Sequence, residues 1–500
     1  MKRMVTSKAW VVMAATTLLV GCANMKSHDE LTGQVQAAQR AGGLEAALKT
    51  LEASATDEAQ RTALLYNLER GELLRLNKRY EDSTHAFMIA DNKVKEWEEA
   101  AKTNPDKLLG TVGAATISER LKVYEGQDYE KVWLTTRLAL NRVAAGDLDT
   151  ARVDIKRTHE REAVIAEFRA KETSAAEAEA KEKGVASTGK DINGYPVETL
   201  NDPEVLALKN GYQNALSHYL AGFLYEVMNE SGLAAPGYRK AIELKPDTTV
   251  LEEGLRGLDD RTSFTHRRRQ QQTDVLFVVE AGDAPARKPK AFTLPVPTGR
   301  GIRSVSVSYP IIEPSRDPLI TTLAASDQQF KLENVVDVNV MARRALKHEM
   351  PGMVFRGITR AIVKGAVQDQ LERSAGMFGA VVGMVGSAMT EQADDRMWRS
   401  LPGRVYVARG YLPEGRHRVT VSGKSFDVDV SGQYALVPVR LYGDMAIVGN
   451  VGKFGRIVAQ PPAPVAAPVA PVAAPVPAKP VRKPAPPKKT APGTVPVPAK

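Results

Sequence analysis

Residues 220–246 read LAGFLYEVMNESGLAAPGYRKAIELKP. Apolar residues recur there at three- and four-residue spacing, the period of an amphipathic helix. Gly222, Tyr225, Ala234, Tyr238, Ala241 and Pro246 mark the places where such a stretch has to be shaped. Small residues let two antiparallel helices approach, aromatic rings fill the gap between them, and proline closes the second helix because it cannot continue the hydrogen-bond ladder.

This arrangement resembles a tetratricopeptide repeat. The same offsets fit Gly71, Leu74, Ser83, Phe87 and Ala90, with Leu64-Leu65-Tyr66 before them and Arg79-Tyr80-Glu81 at the turn. A third copy places Ala139, Ala151 and Ile155 in register around Gly146-Asp147-Leu148-Asp149. Three copies in order predict a helical array over residues 30–262. Stacked helical pairs bury a continuous core and leave a concave face, which suits protein or peptide binding better than chemistry. Within this region Lys156 to Lys183 is rich in Ala, Glu, Lys and Arg and predicts a long exposed helix, ended at Gly184. Asp202-Pro203 predicts an acidic cap with proline in the first turn of the next helix.

From about Gln270 the period changes. Val275-Leu276-Phe277-Val278-Val279 is a continuous apolar run that predicts a buried strand, and Ile302 to Tyr309 alternates apolar with Arg or Ser. Helical spacing returns between Val335 and Met397, with a predicted break near Met350-Pro351-Gly352. Short strands follow at Val405-Tyr406-Val407, His417 to Val421, Phe426 to Val430 and Tyr434 to Leu441. The fold class is therefore α+β: a tetratricopeptide-like helical domain at 30–262, then a mixed α/β domain at 263–459 with an antiparallel β unit. Residues 460–500 are Pro-, Ala- and Lys-rich. Fourteen prolines among the last 40 residues cannot sustain a backbone ladder, so this segment is expected to be a disordered, polyproline-like tail.

The chain opens with Met1-Lys2-Arg3 and Lys8, then runs without charge to Leu19-Val20-Gly21-Cys22. A positive start, a short apolar run and a small residue before a cysteine have the layout of a secretory signal over residues 1–21, too short to span a bilayer, which needs about 20 apolar residues. Leu19-Val20-Gly21-Cys22 resembles the lipobox of bacterial lipoproteins. The resemblance implies cleavage before Cys22, acylation of its thiol and amine, and a lipidated linker over 22–29. Cys22 is the sole cysteine, so no intramolecular disulfide competes for it. Ala23 stands where that family's sorting rule places Asp for inner-membrane retention, which implies the outer membrane. The expected setting is thus an outer-membrane lipid anchor facing the periplasm.

The formal charge of +9 does not point to nucleic acid. Lys2, Arg3 and Lys8 lie in the signal, and Lys479, Arg482, Lys483, Lys488, Lys489 and Lys500 lie in the tail, which accounts for all nine and leaves residues 22–460 balanced. His266-Arg267-Arg268-Arg269 is the densest basic run of the body, but no aromatic residues interleave with it as stacking platforms would require. It reads as a solvated linker face.

No catalytic signature stands out. His28, His85, His159, His218, His266, His348 and His417 stand apart in sequence, with no HExxH, so no metal site is expected. Nor is there a nucleophile elbow, a Walker loop or a dinucleotide fingerprint. Asp394-Asp395 reads as exposed surface charge. Ser374 to Thr390 is uncharged and carries Gly376, Gly379, Gly383 and Gly386, which predicts a helix closely packed at an interface, with contact to lipid as the other reading.

Longer strings resemble an uncharacterised family of Gram-negative lipoproteins with a tetratricopeptide-like N-terminal half. These are Tyr124-Glu125-Gly126 with Asp128-Tyr129-Glu130, Gly146-Asp147 with Ala151-Arg152-Val153, and His218-Tyr219-Leu220 with Leu224-Tyr225-Glu226. Further on come residues 279–285, VEAGDAP, and 393–402, ADDRMWRSLP. The resemblance spans roughly residues 60–425. Members are often encoded near lipoproteins that activate penicillin-binding proteins, which implies a part in envelope or cell-wall assembly. The expected function is an outer-membrane-anchored scaffold for envelope proteins, not an enzyme, with no cofactor, no metal and no nucleic acid partner. The alternatives are a wall-binding lipoprotein whose basic tail meets peptidoglycan, and an enzyme acting on the cell wall.

Overall fold

Three helical hairpins share one turn. In each, the backbone reverses through a left-handed residue: Lys78 at φ 60°, Gly146 at φ 79° and Asn229 at φ 63°. In each, the amide after that residue closes back onto the preceding helix: Arg79 N to Leu74 O, Asp147 N to Arg142 O, and Glu230 N to Tyr225 O, at 2.8 to 2.9 Å. This is the Schellman closure, which satisfies carbonyls that a helix end otherwise leaves unpaired. Gly71, Ala139 and Gly222 stand at equal distance before these turns, and Phe87, Ile155 and Tyr238 at equal distance after them.

The computed structural model describes residues 28–41, 43–105, 108, 123–182, 195–298, 301–354, 356–357 and 393–457. Cys22, the signal, residues 374–390 and the 460–500 tail lie outside them. The helices are α1 (His28–Arg40), α2 (Leu44–Ser54), α3 (Leu64–Leu76), α4 (Tyr80–Thr103), α5 (Asp128–Ala144), α6 (Leu148–Glu182), α7 (Ala215–Val227), α8 (Ser231–Leu244) and α9 (Thr249–Arg256). The pairs α3/α4, α5/α6 and α7/α8 are the predicted hairpins. A further pair, α1/α2, precedes them and packs Val35, Ala47, Leu48 and Leu51 against Leu73, Leu74 and Ala86.

The joints explain the small residues. A Cβ at Gly71 would stand 2.4 Å from the Phe87 ring, and one at Gly222 would stand 2.7 Å from the Tyr238 ring. At Gly237 the obstacle is backbone: Gly222 N at 2.7 Å and His218 O at 2.8 Å. Helix α6 is the long helix expected from Lys156 onward. Thr158, Arg161, Glu162, Ile165 and Phe168 are buried, however, so one face of it is covered as far as Phe168 while the other is exposed.

The strands are β1 (Thr273–Ala281), β2 (Lys288–Thr298), β3 (Gly301–Ile311), β4 (Thr322–Ala325), β5 (Gln328–Lys331), β6 (Glu333–Asp337), β7 (Arg404–Leu412), β8 (Gly415–Val421), β9 (Lys424–Val430), β10 (Tyr434–Tyr442), β11 (Met445–Val448) and β12 (Gly452–Phe454). One sheet runs β11-β10-β1-β7-β6, with β12 also on β10. A second runs β5-β4-β8-β9, and β2 and β3 form a two-stranded ribbon. The expected antiparallel β unit is present, with β8 on β9 and β7 on β1 among its pairs. Its central pair, β1 with β10, is parallel, with Leu276 opposite Leu436.

β1 is buried on both faces, which is why it reads as an unbroken apolar run rather than an alternation. Leu276 and Val278 join the helices in one core, together with Val405 and Val407 of β7 and Leu436 of β10. Val275, Phe277 and Val279 face the second sheet, meeting Leu323, Val419 and Val428. The six-stranded sheet is thus a middle layer, and the change at residue 262 is one of secondary structure within a core that continues across it. The described residues fall in one compact unit that reaches Val458.

Two expectations for residues 335–397 need correction. Residues 333–337 form strand β6, and the helix that follows, α10 (residues 338–354), runs through Pro351 and Gly352 without the predicted break. Residues 393–398 are neither helix nor strand. Hydrophobic spacing alone cannot distinguish a buried irregular segment from one helix face when its backbone is satisfied by distant side chains, and that is the case here.

Gly237→Ala is expected to destabilise the protein by about 1–3 kcal/mol, because the obstructing atoms are main chain and cannot turn aside. Gly33→Ala, mid-helix in α1 with nothing within 4 Å of its Cβ, should instead stabilise by about 1 kcal/mol. Thermal and urea unfolding of the two variants should move in opposite directions; equal shifts would refute the joint.

Candidate functional site

Between the helices and the middle sheet lie two buried ionic clusters, one at each end of β1. At the C-terminal end, the Glu280 carboxylate takes Arg75 at 2.8 Å, Arg137 closer still, and Arg440 at 3.8 Å. Glu72 holds Arg75 at 2.8 Å and Arg137 at 3.0 Å. Burial alone pushes the Glu280 carboxyl up, but Arg137, Arg75 and Arg440 outweigh it and hold it down at about 2. At the other end, Arg409 bridges Asp274 at 2.8 Å and Glu226 at 2.7 Å, and Arg261 binds Glu226 at 2.6 Å. Burial raises Glu226 as well, and Arg409 and Arg261 bring it to about 2.

A third contact captures a peptide. The segment 393–403, neither helix nor strand, is held against the helical array by buried carboxylates acting as acceptors. Glu130 accepts from Trp398 N at 2.6 Å. Glu69 accepts from Arg399 N at 2.6 Å and Ser400 N at 3.1 Å. From α1, His28 Nε2 meets Met397 O at 2.9 Å, Gln36 donates to Arg399 O, and Asp29 pairs with Arg399 at 2.6 Å. Trp398, fully buried, sits edge-on to Phe87 at 5.7 Å and donates its indole N–H to Ser400 Oγ. Burial pushes both Glu69 and Glu130 up to about 7, in spite of the N–H donors that oppose it.

The same segment forms one wall of a cleft of about 640 Å³ at the carboxyl ends of the parallel strands β1 and β10. Its other walls are 281–286, 313–318, 441–443 and the tip of the β8–β9 hairpin at Ser422 and Lys424. The walls meet closely. Ala284 N bonds to Leu401 O at 2.9 Å, and a Cβ on Gly403 would stand 2.8 Å from Asp283 O. Gly282, at φ +68°, makes the turn out of β1. Arg40, Lys288, Arg316, Arg399, Arg404 and Lys424 line the cleft against the three carboxylates Asp283, Glu313 and Asp317.

Of the residues singled out in sequence, the two strings at 279–285 and 393–402 are brought together, through Ala284 N to Leu401 O and Arg399 to Ala284 O, and both reach the cleft lining. Asp394 and Asp395 are not a surface pair: Asp394 binds Arg396 at 2.7 Å and Asp395 is buried. The histidines do not all stand apart. α6 and α7 stack His159 on His218 with centroids 4.9 Å apart, and His218 reaches Glu162 at 3.1 Å. That pair lies 59 residues apart in sequence and gave no local signal. Arg267 of the basic run lies over the Tyr434 ring and donates to Val227 O, so this face is partly packed. Among the described residues, no group of three or more His, Cys, Asp or Glu could hold a metal ion. No helix of those residues is long and apolar enough to cross a membrane. Lys424 and Arg316 were not anticipated, since nothing in their neighbours marks them before the turns are folded.

No family model matches the chain, and no curated protein is similar to it. A tetratricopeptide repeat protein from Parabacteroides merdae is similar at 13% identity and a TM-score of 0.12, over 46% of this chain and 98% of the other. The repeat reading therefore rests on the shared turns and joints.

Stability should depend on pH in two windows. Glu226 and Glu280 have folded values below their ordinary 4.5, so they contribute stability above that value which is lost as pH falls toward 2. Glu69 and Glu130 have folded values above 4.5, so their contribution is full below it and is lost as pH rises through 7. Glu69→Gln should flatten the dependence of the unfolding midpoint between pH 4.5 and 7 relative to the parent; an unchanged slope would refute the assignment. Arg137→Ala, which strands two buried carboxylates, is expected to cost about 3–5 kcal/mol.

Proposed function

We propose that the chain is a lipid-anchored lipoprotein of the outer membrane that faces the periplasm and serves as a scaffold for other envelope proteins, in envelope or cell-wall assembly. It works by binding and not by catalysis, without cofactor or metal. The lipobox resemblance at Cys22 supports the anchor, and more than one acyl chain makes such anchoring stable, at about 0.8 kcal/mol per buried methylene.

The observation that carries the scaffold is the shared turn and joint of α3/α4, α5/α6 and α7/α8, which stack helices into an extended surface. The concave face was expected to receive the partner. It is occupied instead: Phe223 of α7 packs edge-on to Tyr434 of β10, and Arg75 and Arg137 bind Glu280 of β1. A partner therefore uses the outward side of the array, where Met88 and Val153 are about half exposed and α6 emerges beyond Phe168.

Cys22→Ser should abolish lipid labelling and release the protein from the membrane fraction, read by fractionation; tight retention of the variant would refute the anchor. A photoreactive residue at Val153 should crosslink a reproducible envelope protein in cells. Loss of partner recovery only on deletion of 461–500, with Val153 silent, would replace the scaffold with a wall-binding lipoprotein acting through its basic tail.

A further inference from the structure

The cleft at the carboxyl ends of β1 and β10 has a charge pattern that the fold does not use up. Arg40 is taken by Asp283 at 2.7 Å, Lys288 by Glu313 at 3.2 Å, Arg399 by Asp29 at 2.6 Å and Arg404 by Asp337 at 2.7 Å. Among the described residues, the side chains of Arg316 and Lys424 make no ion pair or hydrogen bond, although both line the cavity. The Asp317 carboxylate accepts only from the Ser315 hydroxyl, at 3.1 Å, while Arg404 uses the Asp317 main-chain oxygen. Much of the apolar lining is alanine and proline, at Ala281, Ala284, Pro285, Pro314 and Pro318, with Ile320, Leu441 and the rings of Tyr406 and Tyr442 beside them.

We infer that this cleft binds a short peptide that carries carboxylates and small apolar side chains. The volume lies within the range of ligand sites, whose mostly apolar walls carry a few placed charges that fix orientation. Arg316 on the 313–318 loop and Lys424 on the β8–β9 hairpin both line the cleft, and neither is held by a carboxylate of the described residues, so they give an anionic ligand two points of attachment. The Asp317 carboxylate, which follows Arg316 in the same lining loop, repels a compact dianion and accepts an amide or ammonium, which favours a peptide over simple phosphate. The chain's own 461–500 segment is excluded by charge, since it carries six basic residues and no acid into a cleft already rich in cations.

The walls are also fixed in advance. Glu69 and Glu130 hold the 397–400 main chain, the Ala284–Leu401 hydrogen bond ties that segment to the loop after β1, and the close approach of Gly403 to Asp283 leaves no slack. A ligand entering such a cleft meets groups already ordered, so little of its binding energy is lost to organising them. This inference does not rest on the envelope reading, because the purified chain binds or fails to bind wherever it resides in the cell.

The test is calorimetric titration of the full-length protein in detergent with acetyl-Ala-Glu-Ala bearing free carboxylates. Its Ala-Gln-Ala amide and inorganic phosphate serve as comparison probes. The acidic peptide should bind with a Kd of about 1 mM or below, weakening as salt rises. The amide should bind at least about tenfold more weakly. In the double variant Arg316→Ser, Lys424→Ser, affinity for the acidic peptide should fall about tenfold while the thermal transition stays in place. Equal binding of the amide, binding of phosphate without the peptide, no saturable binding of the peptide, or an unchanged affinity in the double variant would each overturn the inference. Gly403→Ala, which pushes on Asp283 O, supplies an independent check: the affinity should fall although no charge is altered.

Discussion

The buried Glu280 carboxylate is the point at which the helical array and the sheet become one body. It stands at the end of β1, is almost wholly shielded from water, and meets guanidinium groups from α3, α5 and β10. A carboxylate in such surroundings is costly unless every neighbour is in place, because partial pairing leaves a buried charge uncompensated. The array and the sheet therefore cannot slide relative to one another. The ionic contact fixes register, while the apolar contacts of Leu276 and Val278 supply the burial that makes docking favourable.

β1 repeats this logic at both ends. On its helix-facing side, Asp274, Leu276, Val278 and Glu280 alternate with the residues that face the second sheet, so two apolar side chains are bracketed by two carboxylates. The brackets bind different hairpins: Asp274 reaches Glu226 of α7 through Arg409, and Glu280 reaches α3 and α5 directly. A single-residue slip of β1 would turn both carboxylates into the apolar layer between the sheets. That penalty selects one pairing where a uniformly apolar strand would allow several.

Much of this was readable from the chain. The offsets from Gly71 to Phe87 and from Gly222 to Tyr238 are identical, and they mark joints whose tight approach the structure displays. β1 was legible because five apolar residues in a row need two covered faces. What could not be read is whatever depends on distant pairing. Nothing around Glu69 or Glu130 shows that each will accept main-chain N–H groups from more than 260 residues away, and the stretch that leads into the held residues, up to Met397, was read as helical. The parallel pairing of β1 with β10 leaves no local mark either, since the crossover between them contains a ribbon, a helix and six further strands. The α1/α2 pair escaped notice because its core is made of Leu, Val and Ala without an aromatic plug.

The capture of residues 397–400 has a structural consequence for where ligands can go. Arrays of helical hairpins commonly hold peptides in their inner face, and this one does so with its own chain: Glu69 and Glu130 fill the role of peptide-binding side chains, and Trp398 is the anchored residue. With that face filled and the sheet laid beside it, the concavity available to another molecule moves to the far edge of the captured segment, where the segment meets the loop leaving β1. Both strings contribute to the cleft there, 281–285 through the turn at Gly282 and 393–402 through Arg399. Helix α1 touches both strings, through Gln36 to Arg399 and Arg40 to Asp283. In sequence it follows shortly after Cys22, so the first described helix after the proposed anchor is one of the groups that shape the cleft.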